Sequence, residues 1–380
     1  MRGPETVDTS NTFTDLLESD KERFREQYKA EYNEISDGSA LDLVESEFTN
    51  EIKPAFEVFK AVKDAFHPDN EDGYRTEYEV SFTDPLCEIS PNPADLLLTE
   101  TNRREANLCF VVCEPSGENS DLWPTRINEI VNIVGGHETE LLEQIGHSDK
   151  EVNHVQYLTV TLKEEYPDVQ FRHLQHGAPD EYAICTVDDD YEPEDGEDAE
   201  KEYVLRYEDG TIEHGKLHSP LSDGIDYKEA KNRDVYLSLK APPIISLQET
   251  LMSLLTEQHG EVDEPREFNR DDFLNRFRDL CLVGPVGEQK DTVFNSRADE
   301  LLEIAKKSGI LIYGDSDDIH ENRDFRAMYK QGNTTAGLKH SVKSKIFDSR
   351  IQNKKAEMAF ETVEDQFQPR GGYESGVNDF

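Results

Sequence analysis

The spacing of apolar residues along the first 66 positions predicts helix. Between residues 41 and 66, apolar side chains recur at every third or fourth position, which is the period of one face of an α-helix. They are Leu41, Val44, Phe48, Ile52, Phe56, Phe59, Val62 and Phe66. Pro54 lies inside this stripe and predicts a kink or a division into two helices, because proline lacks the N–H that an interior helical position needs. Residues 12 to 66 are therefore predicted to be helical, with one face on a core.

The pattern changes to short apolar runs from residue 74 onward. Five runs have the length and composition of β-strands and are bounded by turn or polar residues. The predicted strands are 74–82, 94–100, 108–114, 154–162 and 181–187. A helix is predicted at 122–134, between the third and fourth strands. This order predicts that residues 1 to 187 form an α/β domain with one small mixed sheet flanked by helices.

Residues 188 to 241 are predicted to connect this domain to the next. The stretch 188–202 is acidic and interrupted by Pro and Gly, which is typical of a linker or a long loop. Asp209-Gly210 lies between alternating apolar flanks and predicts a β-hairpin. A further strand is predicted at 234–239. These strands either extend the first domain or form a small unit of their own.

Residues 242 to 331 carry a different set of elements. Three helical patterns come first, and two of them end at Gly260 and Gly309, where a helix C-terminus favours glycine. Two short apolar runs then predict a hairpin. Three helices and a hairpin of this size resemble a winged helix-turn-helix domain, which implies that the third helix enters the DNA major groove. Residues 332 to 380 are predicted to be a basic, then polar, C-terminal tail.

The charge of the chain is strongly acidic. Lys and Arg number 40 and Asp and Glu number 83, so the formal net charge is −43. A generally basic nucleic-acid coat protein is excluded. Self-repulsion at this charge destabilises a compact state in dilute salt, whereas about 1 M salt shortens the screening length to about 3 Å. We therefore expect a halophilic protein of the haloarchaeal acidic type; disorder is the competing interpretation, but aromatic residues make up 9% of the chain and the apolar periods are clear.

Cysteine use and the absence of long apolar runs favour a cytoplasmic location. The five cysteines form no C-x-x-C pair, so we expect reduced thiols rather than a disulfide framework. The N-terminal residues contain no apolar segment of a signal peptide, and no apolar run approaches the length of a membrane span. We expect no membrane partner.

Two carboxylates mark the strands predicted at 94–100 and 108–114. If these strands pair around the loop 101–107, paired residue numbers sum to about 209, which puts Asp95 opposite Glu114. Directly opposed side chains lie about 4.5–5.5 Å apart at Cβ, so the two carboxylates can share one divalent cation. The alternative is coincidence, because acids are frequent throughout the chain.

Pro93-Ala94-Asp95, followed after eighteen residues by Glu114-Pro115-Ser116, resembles the motif of the PD-(D/E)xK nuclease superfamily, which has the restriction-endonuclease-like fold. The element order over residues 41 to 187 adds to this resemblance. The resemblance implies Mg²⁺ or Mn²⁺ held by Asp95 and Glu114, with a glutamate of the preceding helix completing the metal ligands. The candidate helical glutamates are Glu45, Glu47 and Glu51. Metal-assisted hydrolysis of phosphodiester bonds is the activity implied.

The chain departs from the motif at Ser116, which occupies the position of the motif lysine. A hydroxyl carries no positive charge and cannot orient a hydroxide as an ammonium does. Arg126, near the start of the next predicted helix, is the candidate substitute cation. Loss of catalysis, with the domain kept as a scaffold, is the alternative.

The chain also contains one basic segment. Residues 323 to 355 contain nine Lys and Arg against two Asp, a local charge of +7. Because phosphate contacts dominate nucleic-acid affinity, this segment and the third helix predict DNA binding. The candidate contacts are Arg297, Lys306, Lys307, Arg326, Lys330, Lys339, Lys343 and Lys345. The alternative is a solvated helix whose lysines serve solubility alone.

Two functions follow as expectations. The first is a Mg²⁺-dependent, nuclease-like, DNA-interacting protein that hydrolyses phosphodiester bonds. The second is a non-enzymatic winged-helix DNA-binding regulator or accessory factor with a degenerate nuclease-like scaffold. DNA is the expected partner in both, and a homodimer is left open.

Overall fold

The computed structural model describes most of the chain and divides it into two compact units. The described residues are 18–49, 53–68, 70–86, 94–114, 123–144, 146–176, 179–188, 202–228, 237–257, 267–281, 288–313, 325–327 and 335–367. One unit consists of Met1–Phe48 and Ser344–Phe380, and is referred to as the helical unit; the other is Thr49–Lys343, the larger unit.

The larger unit contains both helices and strands, and the described residues of the helical unit are helical apart from short connections. The helices are α1 Glu18–Glu34, α2 Asp37–Glu47, α3 Lys53–Ala65, α4 Glu71–Tyr74, α5 Trp123–Gln144, α6 Tyr166–His176, α7 Gly215–Asp223, α8 Pro243–Glu257, α9 Arg270–Leu280, α10 Glu288–Lys307 and α11 Thr335–Phe367. The strands are β1 Glu79–Thr83, β2 Leu96–Thr101, β3 Glu105–Cys113, β4 Glu151–Leu162, β5 Tyr182–Asp188, β6 Glu202–Gly210, β7 Ile225–Lys228, β8 Glu267–Phe268, β9 Leu311–Tyr313 and β10 Phe325–Ala327.

Strands β1 to β7 form one mixed sheet in sequential order. The central strands β3, β4 and β5 are parallel, whereas β1, β2, β6 and β7 join antiparallel to their neighbours. Helices α5 and α6 provide the two crossover connections that parallel neighbours require. The predicted α/β class with a mixed sheet is confirmed, and the sheet is larger than predicted.

Helices cover both faces of this sheet. Helices α3 and α7 bury Val62 and Leu217 on one face, and α5 buries Ile130 on the other. The central strands are therefore buried on both sides, and their sequences are rich in apolar residues on both faces rather than alternating apolar with exposed polar positions. In β2, Leu96 and Leu97 point to opposite faces and both are fully buried. This explains why the pattern of the central strands was readable in the sequence.

Helix α6 and the extent of α5 were not predicted. Only Val169 of α6 is buried among its described side chains, so its apolar stripe is too sparse to be seen in the sequence. Helix α5 extends ten residues beyond the predicted end at 134, with a break in helical geometry at His137. The strand predicted at 74–82 begins only at residue 79, because residue 74 ends the short helix α4 and residues 75–77 form a turn.

The hairpin predicted at Asp209-Gly210 is wrong. Strand β6 ends at Gly210, and the chain enters α7 five residues later. Gly210 has φ +97°, and a Cβ there would lie 2.3 Å from the carbonyl oxygen of Tyr182, so glycine is needed for close approach to β5. Leu217 and Leu221, one helical turn apart, are buried and fix the α7 face.

The helix predicted over residues 12–66 is divided into three. The break between α1 and α2 lies at Ser36. Its hydroxyl accepts a hydrogen bond from the Ser39 N–H at 3.0 Å and caps the N-terminus of α2. Helix α3 begins at Lys53, so Pro54 lies in its first turn, where proline is tolerated. The predicted part before residue 18 lies outside the described residues.

The C-terminal part of the larger unit contains the predicted three helices, α8, α9 and α10. Strands β9 and β10 pair antiparallel as predicted, and β8 adds a third strand on the other side of β10. Phe273, Phe277 and Phe294 are buried between α9 and α10. Of the strand predicted at 234–239, residues 237–239 have no strand structure and the rest lies outside the described residues. The identification as a winged helix stays a prediction.

The helical unit is built from α1, α2 and the part of α11 that begins at Ser344. Phe24 and Tyr28 of α1 pack against Ala359 and Val363 of α11. The segment predicted as a tail is thus helical from residue 335 to 367. Within the described part of the chain, no helix has the length and apolar character needed to cross a membrane.

Candidate functional site

Asp95 and Glu114 lie at neighbouring strand ends in the larger unit. Asp95 immediately precedes β2, and its N–H donates to the Val111 carbonyl at 2.9 Å. Glu114 immediately follows β3, and its N–H donates to the Val160 carbonyl of β4 at 2.8 Å. By the alternation of the strands, both side chains point to the face that α5 covers.

The predicted register of this hairpin is wrong by two residues. Leu96 pairs with Val111, so paired numbers sum to 207 rather than 209. The reason lies in the connection, where the Asn102 carboxamide oxygen accepts from the N–H groups of Arg104 and Glu105, both at 2.9 Å, and tightens the turn. A shift of two residues keeps the face, so Asp95 and Glu114 are diagonal neighbours on one face instead of opposite partners.

Arg126 contacts both carboxylates. It lies in the first turn of α5, directly above the two strand ends. Its Nη2 donates to Oδ2 of Asp95 at 2.8 Å, and its Nη1 lies 4.0 Å from Oε2 of Glu114. The candidate substitute cation is therefore next to both carboxylates of the motif.

A second cation, Lys240, was not predicted. Its Nζ donates to Oδ1 of Asp95 at 2.9 Å and lies 3.8 Å from Oδ1 of Asp84. Lys240 belongs to residues 237–241, a short segment before α8 with a turn at residues 239–240, which we refer to as the strap. The N–H of Cys113 also donates to Oδ2 of Asp95, at 2.7 Å. Both oxygens of the Asp95 carboxylate are thus engaged.

Asp84 is a third buried carboxylate at this edge and was also missed. It follows β1, the neighbour of β2, and its N–H donates to the Asp95 carbonyl at 3.0 Å. Its carboxylate accepts from the Ser238 hydroxyl at 3.1 Å and from the Leu239 N–H at 2.7 Å. Its position at the end of a neighbouring strand was the available sequence signal. We refer to Asp84, Asp95, Glu114, Arg126 and Lys240 as the acid cluster.

The electrostatics of the acid cluster separate its carboxylates. Burial disfavours the charged form of Asp95, but the Lys240 ammonium and the Arg126 guanidinium outweigh it and hold the Asp95 pKa at about 2. Burial raises the pKa of Glu114 to about 7, opposed by Arg126 and reinforced by the negative charge of Asp95. Burial also raises the pKa of Asp84 to about 6, with Lys240 opposing it. Lys240 and Arg126 therefore stabilise the charged form of Asp95 more than that of Glu114 or Asp84.

Glu114 is the carboxylate available to a ligand. No described residue donates a hydrogen bond to its carboxylate, and its side chain is 10% exposed. Among the described residues, no group of three or more His, Cys, Asp or Glu is arranged to hold a metal ion. Mg²⁺ is commonly bound through one or two carboxylates, with water and substrate phosphate as the other ligands. Glu114 and Asp95 fit that two-carboxylate arrangement if Asp95 shares an oxygen with the metal.

The remaining predicted metal and catalytic residues are elsewhere or undescribed. Within the helical unit, Glu47 accepts from Arg350 at 3.0 Å and from Lys354 at 2.5 Å. Glu51 and Ser116 lie outside the described residues.

The predicted DNA-binding residues have mixed surroundings. Arg297 donates to the Ala241 carbonyl at 2.7 Å and to Glu300 at 2.6 Å, so its guanidinium makes contacts within the protein. Lys306 and Lys307 lie in the last turn of α10. The other candidates are Arg326 on β10, Lys339, Lys343 and Lys345 on α11, and Lys330, which lies outside the described residues.

Part of the basic segment neutralises acids of the helical unit. Arg350 and Lys354 bind Glu47, as above, and Lys355 donates to Asp37 at 2.7 Å and lies over the Tyr32 ring. These three cations of α11 therefore pack against α1 and α2, a role that the sequence pattern did not distinguish from phosphate binding.

Comparison with known proteins gives no identification. No protein-family model matches the chain, no curated protein resembles it significantly, and no solved structure matches its fold significantly. The case for a function therefore rests on the residues of the acid cluster and on the charge of the chain.

Proposed function

We propose that this protein is a Mg²⁺-dependent, nuclease-like protein that hydrolyses phosphodiester bonds of DNA. The observation that carries the proposal is the acid cluster itself, in which Asp95 and Glu114 share one face at neighbouring strand ends beside Arg126 and Lys240. Buried titratable groups with strongly and oppositely shifted pKa values are typical of active sites. Here the pKa of Asp95 is lowered to about 2, whereas the pKa of the adjacent Glu114 is raised to about 7.

In this proposal, Asp95 and Glu114 would hold the metal ion. When bound, Mg²⁺ supplies polarisation of a phosphoryl oxygen and lowers the pKa of a bound water. Arg126 holds Asp95 in place through Oδ2. Lys240, at 2.9 Å from Oδ1 of Asp95, supplies the positive charge that the motif resemblance expects two residues after Glu114, where the sequence has Ser116.

DNA binding is proposed for the basic groups at the C-terminal end of α10 and on the first turns of α11. Lys307 is exposed, and Lys306 and Lys307 follow each other in the last turn of α10. Lys339, Lys343 and Lys345 lie within ten residues on α11. In a chain of net charge −43, basic groups clustered in this way favour contact with phosphates.

A second candidate is a DNA-binding accessory protein with an inactive nuclease-like scaffold. The observation that favours it is that both oxygens of Asp95 already accept from Lys240, Arg126 and the Cys113 N–H. A carboxylate with three such donors is satisfied without a metal ion. In this alternative, the acid cluster stabilises the fold and DNA binding needs no magnesium.

Cleavage of DNA in molar salt separates the two candidates. The full-length protein is incubated with labelled single-stranded and double-stranded DNA, with Mg²⁺ or with EDTA. Glu114→Gln is the test variant, because it keeps the size of the side chain and removes the carboxylate to which no described residue donates a hydrogen bond. Asp188→Asn, at a partly exposed pair with Lys163, is the matched control.

We expect Mg²⁺-dependent cleavage by the wild-type protein and by Asp188→Asn, and a loss of about 100-fold or more in Glu114→Gln, since a metal ligand is worth at least as much as its supporting partners. Equal cleavage by Glu114→Gln would refute the assignment of the site. Tight binding without cleavage by the wild-type protein would replace the nuclease proposal with the accessory-protein candidate.

A further inference from the structure

The strap is held at both of its ends by the helices that follow it. The Leu237 N–H donates to the Leu280 carbonyl at the end of α9, at 2.6 Å. The Ala241 carbonyl accepts from Arg297 of α10 at 2.7 Å and from the Ser246 hydroxyl at 3.1 Å. These contacts fix where the strap begins and ends, but none of them sets the direction of the Lys240 side chain.

The middle of the strap contacts two aspartates of the sheet: Asp95 binds the Lys240 side chain, and Asp84 binds the strap backbone. The Ala241 N–H also donates to the Ser238 carbonyl at 2.9 Å, which closes a turn within the strap. One carboxylate oxygen of Asp84 accepts from the Ser238 hydroxyl at 3.1 Å, and the other accepts from the Leu239 N–H at 2.7 Å. The Ser238 hydroxyl oxygen in turn accepts from the Lys240 N–H at 3.0 Å. Asp84 thus orders three consecutive strap residues, the last of which carries the ammonium that reaches Asp95.

The backbone of Asp84 is shaped for this role. It has φ +47°, a left-handed conformation that side chains other than those of Asn and Asp seldom adopt. Its N–H donates to the Asp95 carbonyl at 3.0 Å, so the backbones of the two aspartates are joined. The carboxylate that orders the strap and the carboxylate that receives Lys240 are therefore fixed to each other through β1 and β2.

We propose that Asp84 is a positioning residue that holds the strap on the sheet and aims Lys240 at Asp95. Asp84 does not touch the reacting atoms in this proposal; it acts through Lys240. The strap also contacts α9 and α10, so the same residue joins the sheet to the helices proposed to bind DNA. The role of Asp84 in cleavage rests on the proposed function, whereas its role in placing Lys240 does not.

Two variants separate the carboxylate from the backbone. Asp84→Gly keeps access to the left-handed conformation and removes the carboxylate. Asp84→Asn keeps the conformation and one acceptor oxygen for the Leu239 N–H, but removes the charge beside Lys240. A residue needed only for the turn would tolerate both changes. A positioning carboxylate predicts a large effect for Gly and a smaller one for Asn.

The placement of Lys240 is measured without reference to activity. Hydrogen exchange of a peptide spanning residues 237–241 reports whether the strap is held, and a peptide spanning β3 reports whether the sheet is intact. Acylation of Lys240 by an N-hydroxysuccinimide ester reports whether its amine is released. Lys53, exposed and paired with Glu57, is the reference lysine in the same digest.

For Asp84→Gly we expect strap exchange and Lys240 acylation to rise about 10- to 100-fold, the factor expected for a lost hydrogen bond to a charged group. The β3 peptide should keep its protection, and Asp84→Asn should lie between Gly and wild type. Wild-type exchange and acylation in Asp84→Gly would overturn the proposal. Loss of protection in β3 as well would also overturn it, since Asp84 would then support the whole fold.

Cleavage assays then test the link to the proposed function. If the wild-type protein cleaves DNA, Asp84→Gly should lower kcat at least tenfold and leave DNA affinity unchanged. Unchanged kcat with a released Lys240 would remove Asp84 from the cleavage reaction. If the wild-type protein does not cleave DNA, the proposed function fails, and the exchange and acylation results still decide whether Asp84 positions Lys240.

Discussion

Strands β2 and β3 carry buried carboxylates at both ends of their hairpin, and the two ends neutralise them differently. At the turn end, Glu100 is 2% exposed and accepts from Lys216 at 3.1 Å through Oε1 and from the Asn107 carboxamide through Oε2. At the open end, Asp84, Asp95 and Glu114 lie around two cations, Arg126 and Lys240.

The two ends of the hairpin differ in how the hydrogen-bond donors are shared among the carboxylates. Each oxygen of Glu100 has its own donor, so this carboxylate is a satisfied buried group, as structural carboxylates usually are. At the open end, Asp95 takes hydrogen bonds from both cations, and Glu114 takes none from the described residues. Burial raises the pKa of Glu114 to about 7, and the nearby Arg126 guanidinium offsets only part of that rise.

This contrast shows what distinguishes a candidate site in so acidic a chain. The presence of two nearby carboxylates is not informative when acids are frequent at the surface. A buried carboxylate left without a hydrogen-bond donor is informative, because burial without a partner is costly and is retained where a ligand or a reaction uses it. Among the described residues, none donates a hydrogen bond to the Glu114 carboxylate, which lies 4.0 Å from the Arg126 guanidinium, whereas each oxygen of Glu100 has its own donor.

The largest expected effect is at Asp95, where the comparison predicts a strongly coupled ionic network. Asp95→Asn should lower the free energy of unfolding by about 3–5 kcal/mol, because it leaves Arg126 and Lys240 largely buried without their anion. Urea denaturation in molar salt and EDTA measures this change. Asp188→Asn, which breaks a partly exposed pair, should cost no more than about 1 kcal/mol. Equal costs for the two variants would mean that the open end is no more coupled than the surface.

The sequence predicted the local part of this site. Asp95 and Glu114 flank one hairpin, and Arg126 lies twelve residues after Glu114, so short-range pairing and one helix start were enough to bring them together. Lys240 is 145 residues from Asp95. Their pairing was not predictable, because the apolar pattern of a sequence does not show which distant residues meet at the edge of a sheet. Asp84 was hidden for a related reason, because the strand before it was predicted to end at residue 82 and its role depends on the distant strap.

The fold was predictable where burial is strong and symmetrical. Strands β2 to β5 gave recognisable runs rich in apolar residues because both faces are covered. Helix α6 gave no readable stripe, since Val169 is the only buried residue among its described side chains. Asp209-Gly210 has the composition of a hairpin turn, but Gly210 serves close packing against Tyr182. Local composition was misleading there because a tertiary contact, not a turn, selects the glycine.

The next largest effect is the pH dependence of stability that Glu114 causes. Its folded-state pKa, about 7, is raised above the ordinary value of 4.5 by burial. A raised carboxyl pKa means that the folded protein binds the proton more tightly, so stability is lost as pH rises from 4.5 to 7. Glu114→Gln should remove this loss and be more stable than wild type by roughly 2–3 kcal/mol at pH 8, with little difference near pH 4.5.

Urea denaturation across this pH range, in EDTA, measures the difference between the variant and the wild type. Asp84, with a pKa raised to about 6, adds a slope of the same sign in both proteins, so it cancels in the comparison. The pKa of Asp95 is lowered to about 2, so the stability that its charged form gives the protein is lost only as pH falls below the ordinary aspartate pKa of 3.8. A Glu114→Gln curve parallel to wild type between pH 5 and pH 8 would show that Glu114 has a donor after all.

The smallest effect is expected at the turn end, where the comparison predicts a satisfied carboxylate. Lys216→Met should lower stability by about 1–2 kcal/mol, because Glu100 loses one of its two donors. The Lys216 side chain is 43% exposed, so solvent limits the cost. The double variant Lys216→Met/Glu100→Gln should recover most of that loss, since a neutral carboxamide at position 100 needs no cation. If the double variant stays as unstable as the single one, Lys216 contributes through its ion pair with Glu77 or through packing, and not through Glu100.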